Sequence, residues 1–137
     1  MLAQNFKLAD DLGLTDKEQA ALIKVLGMLE RGEISAKESS GKTIAGTKTA
    51  PIGFDMGSFY SKTECGTVCC ICGWAEYIGQ LPVHSLAIKR MENGYEKLYG
   101  LFEPPVRDAL SITPAQAAMA LRSYLTTGDA CWLEAIA

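Results

Sequence analysis

Cysteines are the residues best suited to chemistry in this chain of 137 residues, and four of the five lie at positions 65, 69, 70 and 72. The segment that holds them, ECGTVCCICGWAEYIG at 64–79, also carries a tryptophan and three glycines. Clustered thiols can attack a carbonyl as thiolates, bind a soft metal ion, or fill a core as small apolar groups. Each of these functions makes a different demand on the surrounding elements.

The first alternative is a cysteine hydrolase with Cys65 as nucleophile and His84 as base. A thiolate is stabilised at the N-terminus of a helix, and His84, the single histidine, follows 19 residues later. The pattern ECGxxC at 64–69 resembles the active-site helix of the papain-like leader peptidases of bacteriocin exporters. That family has its oxyanion-hole glutamine where this chain has FYS at 59–61. We therefore assign no catalytic residues and keep this pair as the alternative.

The second alternative is a metal site. If the segment is helical, Cys65, Cys69 and Cys72 share one face, but a rise of about 1.5 Å per residue separates the outer two by about 10 Å. That distance is too long for one tetrahedral ion, and no second CxxC pair is present. We predict no metal and no cofactor. The ligands of the alternative site would be Cys69, Cys72, His84 and Cys131.

The third and favoured interpretation is that the segment is a buried central helix at about 65–81, ending before Pro82. A helix that is apolar on all sides is covered by other elements on all sides, and free cysteine is often buried. Gly66 and Gly73 are seven residues apart and would lie on one side of such a helix. Their missing side chains would allow a neighbouring helix to approach closely.

Capping patterns predict the best-defined helices. TDKE at 15–18 is a capping box for a helix at about 15–31, with Gly32 as its stop. TPAQ at 113–116 places a threonine cap before a proline, and the helix that follows would end at Gly128. Further helices are predicted at about 3–12 and, with a break at Asn93-Gly94, over HSLAIKRMENGYEKLYGLF at 84–102.

Residues 33–53 form a Gly-, Ser-, Thr- and Lys-rich stretch without apolar periodicity, which predicts a long mobile loop. Lys37, Lys42 and Lys48 make it locally basic and suit an acidic partner surface. AKESSGKT at 36–43 matches a loose phosphate-loop pattern, but neither a buried strand before it nor a helix after it is predicted. We interpret that match as chance.

A second resemblance extends over residues 54–125. CGTVCCICGWA at 65–75, preceded by FDM at 54–56, is followed by GLFEP at 100–104 and TPAQA at 113–117. This order of motifs is similar to that of a family of small uncharacterised bacterial and phage proteins. The resemblance implies a compact helical domain, and it brings no catalytic residues with it.

The composition, with 48% hydrophobic residues and a net charge of −3, indicates one globular domain, 1–137. The odd number of cysteines, their clustering and the lack of an export signal at the start of the sequence predict a reducing, cytoplasmic setting. It gives no basic footprint for nucleic acid and no apolar span for a membrane. We expect a mostly α, multi-helix fold with at most a short extended segment near 54–60.

The expected function is non-enzymatic protein binding, as an inhibitor or accessory protein of a phage or mobile element. The contacts would come from the lysines of the loop and from Trp132 in the apolar tail ACWLEAIA. For the tail itself the favoured interpretation is that Trp132 docks on the core. Left exposed, the tail would be an apolar anchor for a partner or for a homodimer.

Overall fold

The fold was analysed in a computed structural model, which describes residues 6–34, 51–54, 61–63, 66–69, 71–82, 85–103 and 112–136. It is mostly α-helical, as predicted. The helices are α1 (Ala9–Leu12), α2 (Asp16–Glu30), α3 (Ile71–Ile78), α4 (Ser85–Lys89), α5 (Glu96–Phe102), α6 (Pro114–Thr127) and α7 (Trp132–Ala135). The strands are β1 (Pro51–Phe54), β2 (Ser61–Thr63) and β3 (Gly66–Cys69).

The two longest helices begin at the predicted capping boxes. The Thr15 hydroxyl accepts a hydrogen bond from the backbone of Glu18 at 3.1 Å, and the Glu18 carboxylate accepts from the backbone of Thr15 at 2.9 Å. Thr113 and Gln116 repeat this exchange at the start of α6. Each box satisfies amides that have no partner within the helix, so the sequence alone determines both starting points.

The core lies where α2 packs against α3 and α6. Each of these helices contributes small and branched apolar side chains that are almost completely buried. From α2 and α6 these include Leu22, Val25, Leu26, Leu121 and Leu125, and from α3 they include Ile71 and Ala75. The first and last long helices of the described chain are therefore neighbours, with α3 packed against α2.

Close packing between α2 and the end of α3 depends on Gly79. A methyl group placed on this glycine would lie 2.6 Å from Cβ of Ala21 and 3.1 Å from the carbonyl oxygen of Ala75. Both distances are shorter than ordinary van der Waals contact. A close approach at a glycine of this segment is therefore found at Gly79, six residues after Gly73, whereas the approach predicted at Gly66 and Gly73 stays a prediction.

The three strands form one small sheet in the order β1-β3-β2. β3 pairs in parallel with β1, where Pro51 faces Thr67 and Phe54 faces Cys69. On its other side β3 pairs antiparallel with β2, where Ser61 faces Val68. The middle strand leads, after one residue, into α3, so the sheet lies next to the beginning of the buried helix.

The predicted central helix at 65–81 is wrong in its first third. Gly66–Cys69 is a strand and the helix extends only over Ile71–Ile78. An uninterrupted apolar run has no period that separates a buried helix from a buried strand. The β-branched residues Thr67 and Val68 favour the strand, and partners on both sides satisfy its backbone.

Other predicted boundaries also change. Of the helix at 3–12 only Ala9–Leu12 is helical; residues 6–8 are not, and residues 1–5 lie outside the described chain. The last residues of the predicted loop 33–53 belong to strand β1. Residues 35–50 and 55–60, which hold the rest of that loop and most of the predicted extended segment, lie outside the described residues.

Candidate partner-binding face

The structure describes only some of the residues that the hydrolase and metal alternatives need. Cys65 and His84 lie outside the described residues, so the distance between them is not defined here. The helix that was expected to activate the thiol begins at Ile71, after strand β3. The prediction that Cys65 stands at a helix N-terminus is therefore wrong, because the residues that follow it are extended.

The helical face predicted for the metal alternative is also wrong, while the ligand set stays a prediction because His84 lies outside the described residues. Cys69 ends strand β3 and Cys72 lies in α3, so they do not share one helical face with Cys65 as predicted. Cys72 is buried, whereas Cys131 is half-buried and lies before α7. Within the part of the chain that the structure describes, no three His, Cys, Asp or Glu side chains are grouped to hold a metal ion.

Cys72 instead belongs to a buried polar contact. Its Sγ donates toward Oε2 of Glu76 at 3.6 Å, one turn along α3. The same Oε2 accepts a hydrogen bond from the backbone N–H of Leu86 at 2.9 Å. Leu86 is in the first turn of α4, where amides lack partners within the helix. A carboxylate of α3 therefore caps α4, which is a structural function for this part of the cysteine segment.

Trp132 is docked on the core, as the favoured interpretation of the tail predicted. Its side chain is 2% exposed, and Nε1 lies 3.0 Å from the carbonyl oxygen of Gly100 and 3.1 Å from that of Leu101. Both carbonyls belong to the last part of α5. The expectation that Trp132 itself contacts a partner is wrong, because its ring is already surrounded by the protein.

Next to this anchor, three large apolar side chains remain exposed. Met91, Tyr99 and Leu133 have 66%, 44% and 71% of their surface accessible to solvent. Met91 and Tyr99 line a groove of about 230 Å³ between the end of α4 and α5. Tyr99 and Leu133 line another of about 490 Å³ between α5 and α7. The two grooves meet at Tyr99.

The charges around these grooves are predominantly negative. Glu92 and Glu96 line the smaller groove, and Glu103 and Glu134 line the larger one. The guanidinium of Arg90 is paired with Glu103 at 3.1 Å and lies 5.9 Å from the centre of the Tyr99 ring. We call the surface formed by Arg90, Met91, Glu92, Glu96, Tyr99, Glu103, Leu133 and Glu134 the Tyr99 face.

Three carboxylates of the Tyr99 face have no counter-ion within the part of the chain that the structure describes. Among the described residues, Glu92, Glu96 and Glu134 form no ion pair, while the single cation, Arg90, is paired with Glu103. A cluster of carboxylates without counter-ions around apolar grooves produces a negative potential at the position where a ligand would dock. Shape and charge thus coincide on this face.

The sequence contained a signal for Tyr99 that went unused. In α5, Leu98, Leu101 and Phe102 follow the helical spacing i, i+3, i+4 and are buried. Tyr99 falls outside that stripe and therefore faces solvent. No comparable signal identifies Leu133 or Met91 as its neighbours, because they come from different elements that only the tertiary fold brings together.

The predicted partner-binding lysines are not located. Lys37, Lys42 and Lys48 all lie outside the described residues, and the basic loop remains a prediction. The Tyr99 face has the opposite charge. If both surfaces bind, they bind partners of opposite sign.

Away from the Tyr99 face, a cleft of about 470 Å³ lies between α1 and the end of α6. Its wall includes Tyr124, which is 1% exposed and whose hydroxyl has no hydrogen-bond partner among the described residues. Burial, followed by the charge of Glu18, raises the pKa of Tyr124 above its ordinary value. The charges of this cleft are mixed, with three aspartates and two lysines, Asp10, Asp11, Asp129, Lys7 and Lys97.

Another groove away from the Tyr99 face, of about 690 Å³, lies between α1 and α2. Leu8 and Ile23 give it an apolar surface, and Leu8 is strongly exposed. The charged side chains around it, Asp10, Asp16 and Lys24, are of both signs. This groove has neither an exposed aromatic side chain nor a one-sided charge, so it says less about its occupant than the Tyr99 face does.

Comparison with known protein families, curated proteins and solved structures finds no significant match. Among the described residues, no helix is both long enough and apolar enough to cross a bilayer.

Proposed function

We propose that this chain is a non-enzymatic protein-binding module whose contacting surface is the Tyr99 face. The observation that carries the proposal is the meeting of two grooves at Tyr99, with Met91 and Leu133 exposed on either side. Contiguous exposed apolar side chains rimmed by polar ones are typical of protein interaction sites. Tyrosine and arginine, which meet here as Tyr99 and Arg90, are enriched among residues that dominate binding energy.

The scaffold beneath this face supports the proposal. Trp132 connects α7 to α5 through its indole N–H, so Leu133 is held at a defined position relative to Tyr99. Arg90 is paired with Glu103, which restrains the cation beside the tyrosine ring. Surfaces that are ordered before binding lose less conformational entropy when a partner docks. The expectation of an inhibitor or accessory protein of a mobile element stays a prediction that this surface does not address.

The test is a selection of displayed random peptides on three forms of the protein. These are the wild type, the double variant Met91→Ser/Leu133→Ser, and the control Leu8→Ser, which replaces a leucine of similar exposure elsewhere. We expect peptides that bind the wild type and the control but lose at least about tenfold in affinity for the double variant. Selection of no peptide that discriminates against the double variant would overturn the proposal.

A further inference from the structure

We infer that the Tyr99 face is built for a cationic amphipathic segment of another protein. This inference depends on the proposed function, because it names the chemistry of the partner at the same face. Its starting point is the charge count on the face: four glutamates surround the two grooves, and one arginine is present. With Arg90 engaged by Glu103, the net charge offered to a partner comes from Glu92, Glu96 and Glu134.

The apolar part of the face determines the form of the partner. Met91 follows α4, Tyr99 lies in α5 and Leu133 in α7, and the two grooves between them share Tyr99 in their walls. An amphipathic helix presents apolar anchors at i, i+3 or i+4, and i+7, and lays them into such adjoining grooves. Lysine or arginine on either side of its apolar stripe would then meet the glutamates at the rim.

Charge also separates this partner from other occupants. A second copy of the chain in a two-fold arrangement would place the same surface against itself, and the glutamates would face glutamates. Juxtaposed like charges cost several kcal/mol at an interface. An anionic membrane surface or a nucleic acid would be repelled for the same reason. A basic protein segment is the occupant whose charge complements the face.

Electrostatic complementarity predicts a characteristic salt dependence. Exposed charges are screened within about 10 Å at 0.1 M salt, so attraction at the rim should weaken as salt rises. Burial of the apolar anchors in the grooves is not reduced by salt in this way. Affinity should therefore fall with salt and approach a residual value that reflects the apolar contacts.

The experiment uses a synthetic helical peptide with leucines at i, i+3, i+4 and i+7 and lysines at the remaining positions. A scrambled peptide of the same composition and a peptide with glutamate replacing every lysine serve as comparisons. Binding is measured by calorimetry between about 50 and 500 mM salt. Perturbed amides in ¹H–¹⁵N spectra identify the surface that is contacted.

Two sets of variants make the test specific. Glu96→Lys/Glu134→Lys reverses charge on the face, and Glu33→Lys makes the same kind of change on an exposed glutamate after α2. We expect the lysine peptide to perturb α5 and α7 and to bind the Glu96→Lys/Glu134→Lys variant at least about tenfold more weakly at low salt. The Glu33→Lys variant and the wild type should bind alike.

The possible failures are distinguishable. If the glutamate peptide binds the face as tightly as the lysine peptide, or if the reversed charges have no effect, the cationic partner is excluded while the face remains a docking surface. If no peptide perturbs α5 or α7 and Met91→Ser/Leu133→Ser changes nothing, the face is not a docking site and both proposals fail. Equal binding of the scrambled peptide would exclude an amphipathic helix as the recognised form.

Discussion

The carboxylate of Glu76 in α3 accepts a hydrogen bond at 2.9 Å from the backbone N–H of Leu86 in α4, and both residues are completely buried. A helix is usually capped by the side chain of a residue next to its own first turn. Here the acceptor comes from ten residues earlier and from another helix. This hydrogen bond thus connects the first turn of α4 directly to α3.

Glu76→Ala should destabilise the protein. The variant leaves the buried amide of Leu86 without this acceptor, which costs about 1–3 kcal/mol. Glu76→Gln retains an oxygen that can accept the bond and should lose less stability. The free energy of unfolding in urea, compared with that of the exposed control Glu92→Ala, measures the effect. Equal stability of Glu76→Ala and the control would contradict the capping function.

Gly79→Ala should destabilise the contact between α2 and α3. The added methyl group would lie 2.6 Å from Cβ of Ala21. Overpacking of this kind typically lowers the free energy of unfolding by about 1–3 kcal/mol. Gly100→Ala is the matched control, because nothing lies within 4 Å of a methyl group at that helical position. That control should be neutral or slightly stabilising, since alanine favours the helix.

A double variant separates the clash at Gly79 from other effects of the substitution. Ala21→Gly removes the atom that the new methyl group would meet, so Ala21→Gly/Gly79→Ala should be more stable than the sum of the single effects predicts. Thermal unfolding of the four proteins completes the cycle. Strict additivity would show that the two positions do not interact.

Tyr124→Phe should leave stability unchanged or raise it at neutral pH. The hydroxyl is buried and has no hydrogen-bond partner among the described residues. Its removal therefore takes away the free-energy cost of burying an unpaired polar group in the folded state. Tyr124→Leu is the comparison variant, because it loses the ring as well and should be destabilised. If Tyr124→Phe lost as much stability as Tyr124→Leu, the hydroxyl would form a stabilising hydrogen bond in the folded protein.

The same residue predicts a dependence of stability on alkaline pH. Burial raises the pKa of Tyr124 above 10.0, so the unfolded chain loses this proton at a lower pH than the folded protein. Stability is therefore complete below the unfolded pKa and falls as pH rises above it, by at most about 1.4 kcal/mol per pH unit. Tyr124→Phe should show a shallower decline between about pH 10 and 11, and identical slopes would contradict the prediction.

Trp132→Ala should cost about 3–5 kcal/mol, because a buried aromatic ring is lost and a cavity remains. Leu133→Ala, at the next residue, should change stability by less than about 0.5 kcal/mol because its side chain is exposed. The free energy of unfolding in guanidinium, measured for both variants, shows whether Trp132 anchors α7 while Leu133 is free to contact a partner. Comparable losses would mean that Leu133 also belongs to the core.

Local signals in the sequence accounted for the helix boundaries that depend on neighbouring residues. The boxes at Thr15 and Thr113 operate within one turn, and Gly128 stops α6 with a positive φ of 91°. Such features need no information from the rest of the chain, which is why their positions could be predicted.

The sheet and the Tyr99 face depend on distant residues and were therefore missed. β3 is stabilised by pairing with β1, whose residues lie about 15 positions earlier. The amino-acid sequence of β3 by itself is also compatible with a helix. Tyr99 could be placed on the exposed side of α5 from its spacing. Its meeting with Met91 and Leu133 arises from the packing of α4, α5 and α7, which no local pattern encodes.

The pairing of α2 with α6 has a consequence for biosynthesis. More than 80 residues separate Glu30 from Pro114, and the backbone of Lys7 also bonds to the carbonyl of Leu125 at 2.8 Å. During translation α2 and then α3 leave the ribosome before α6 has been made, so the apolar side chains of α2 that face α6 stay uncovered until then. The surface of α2 that α6 covers is therefore available to chaperones and to aggregation until α6 has emerged, and only then is the packing of α2 complete.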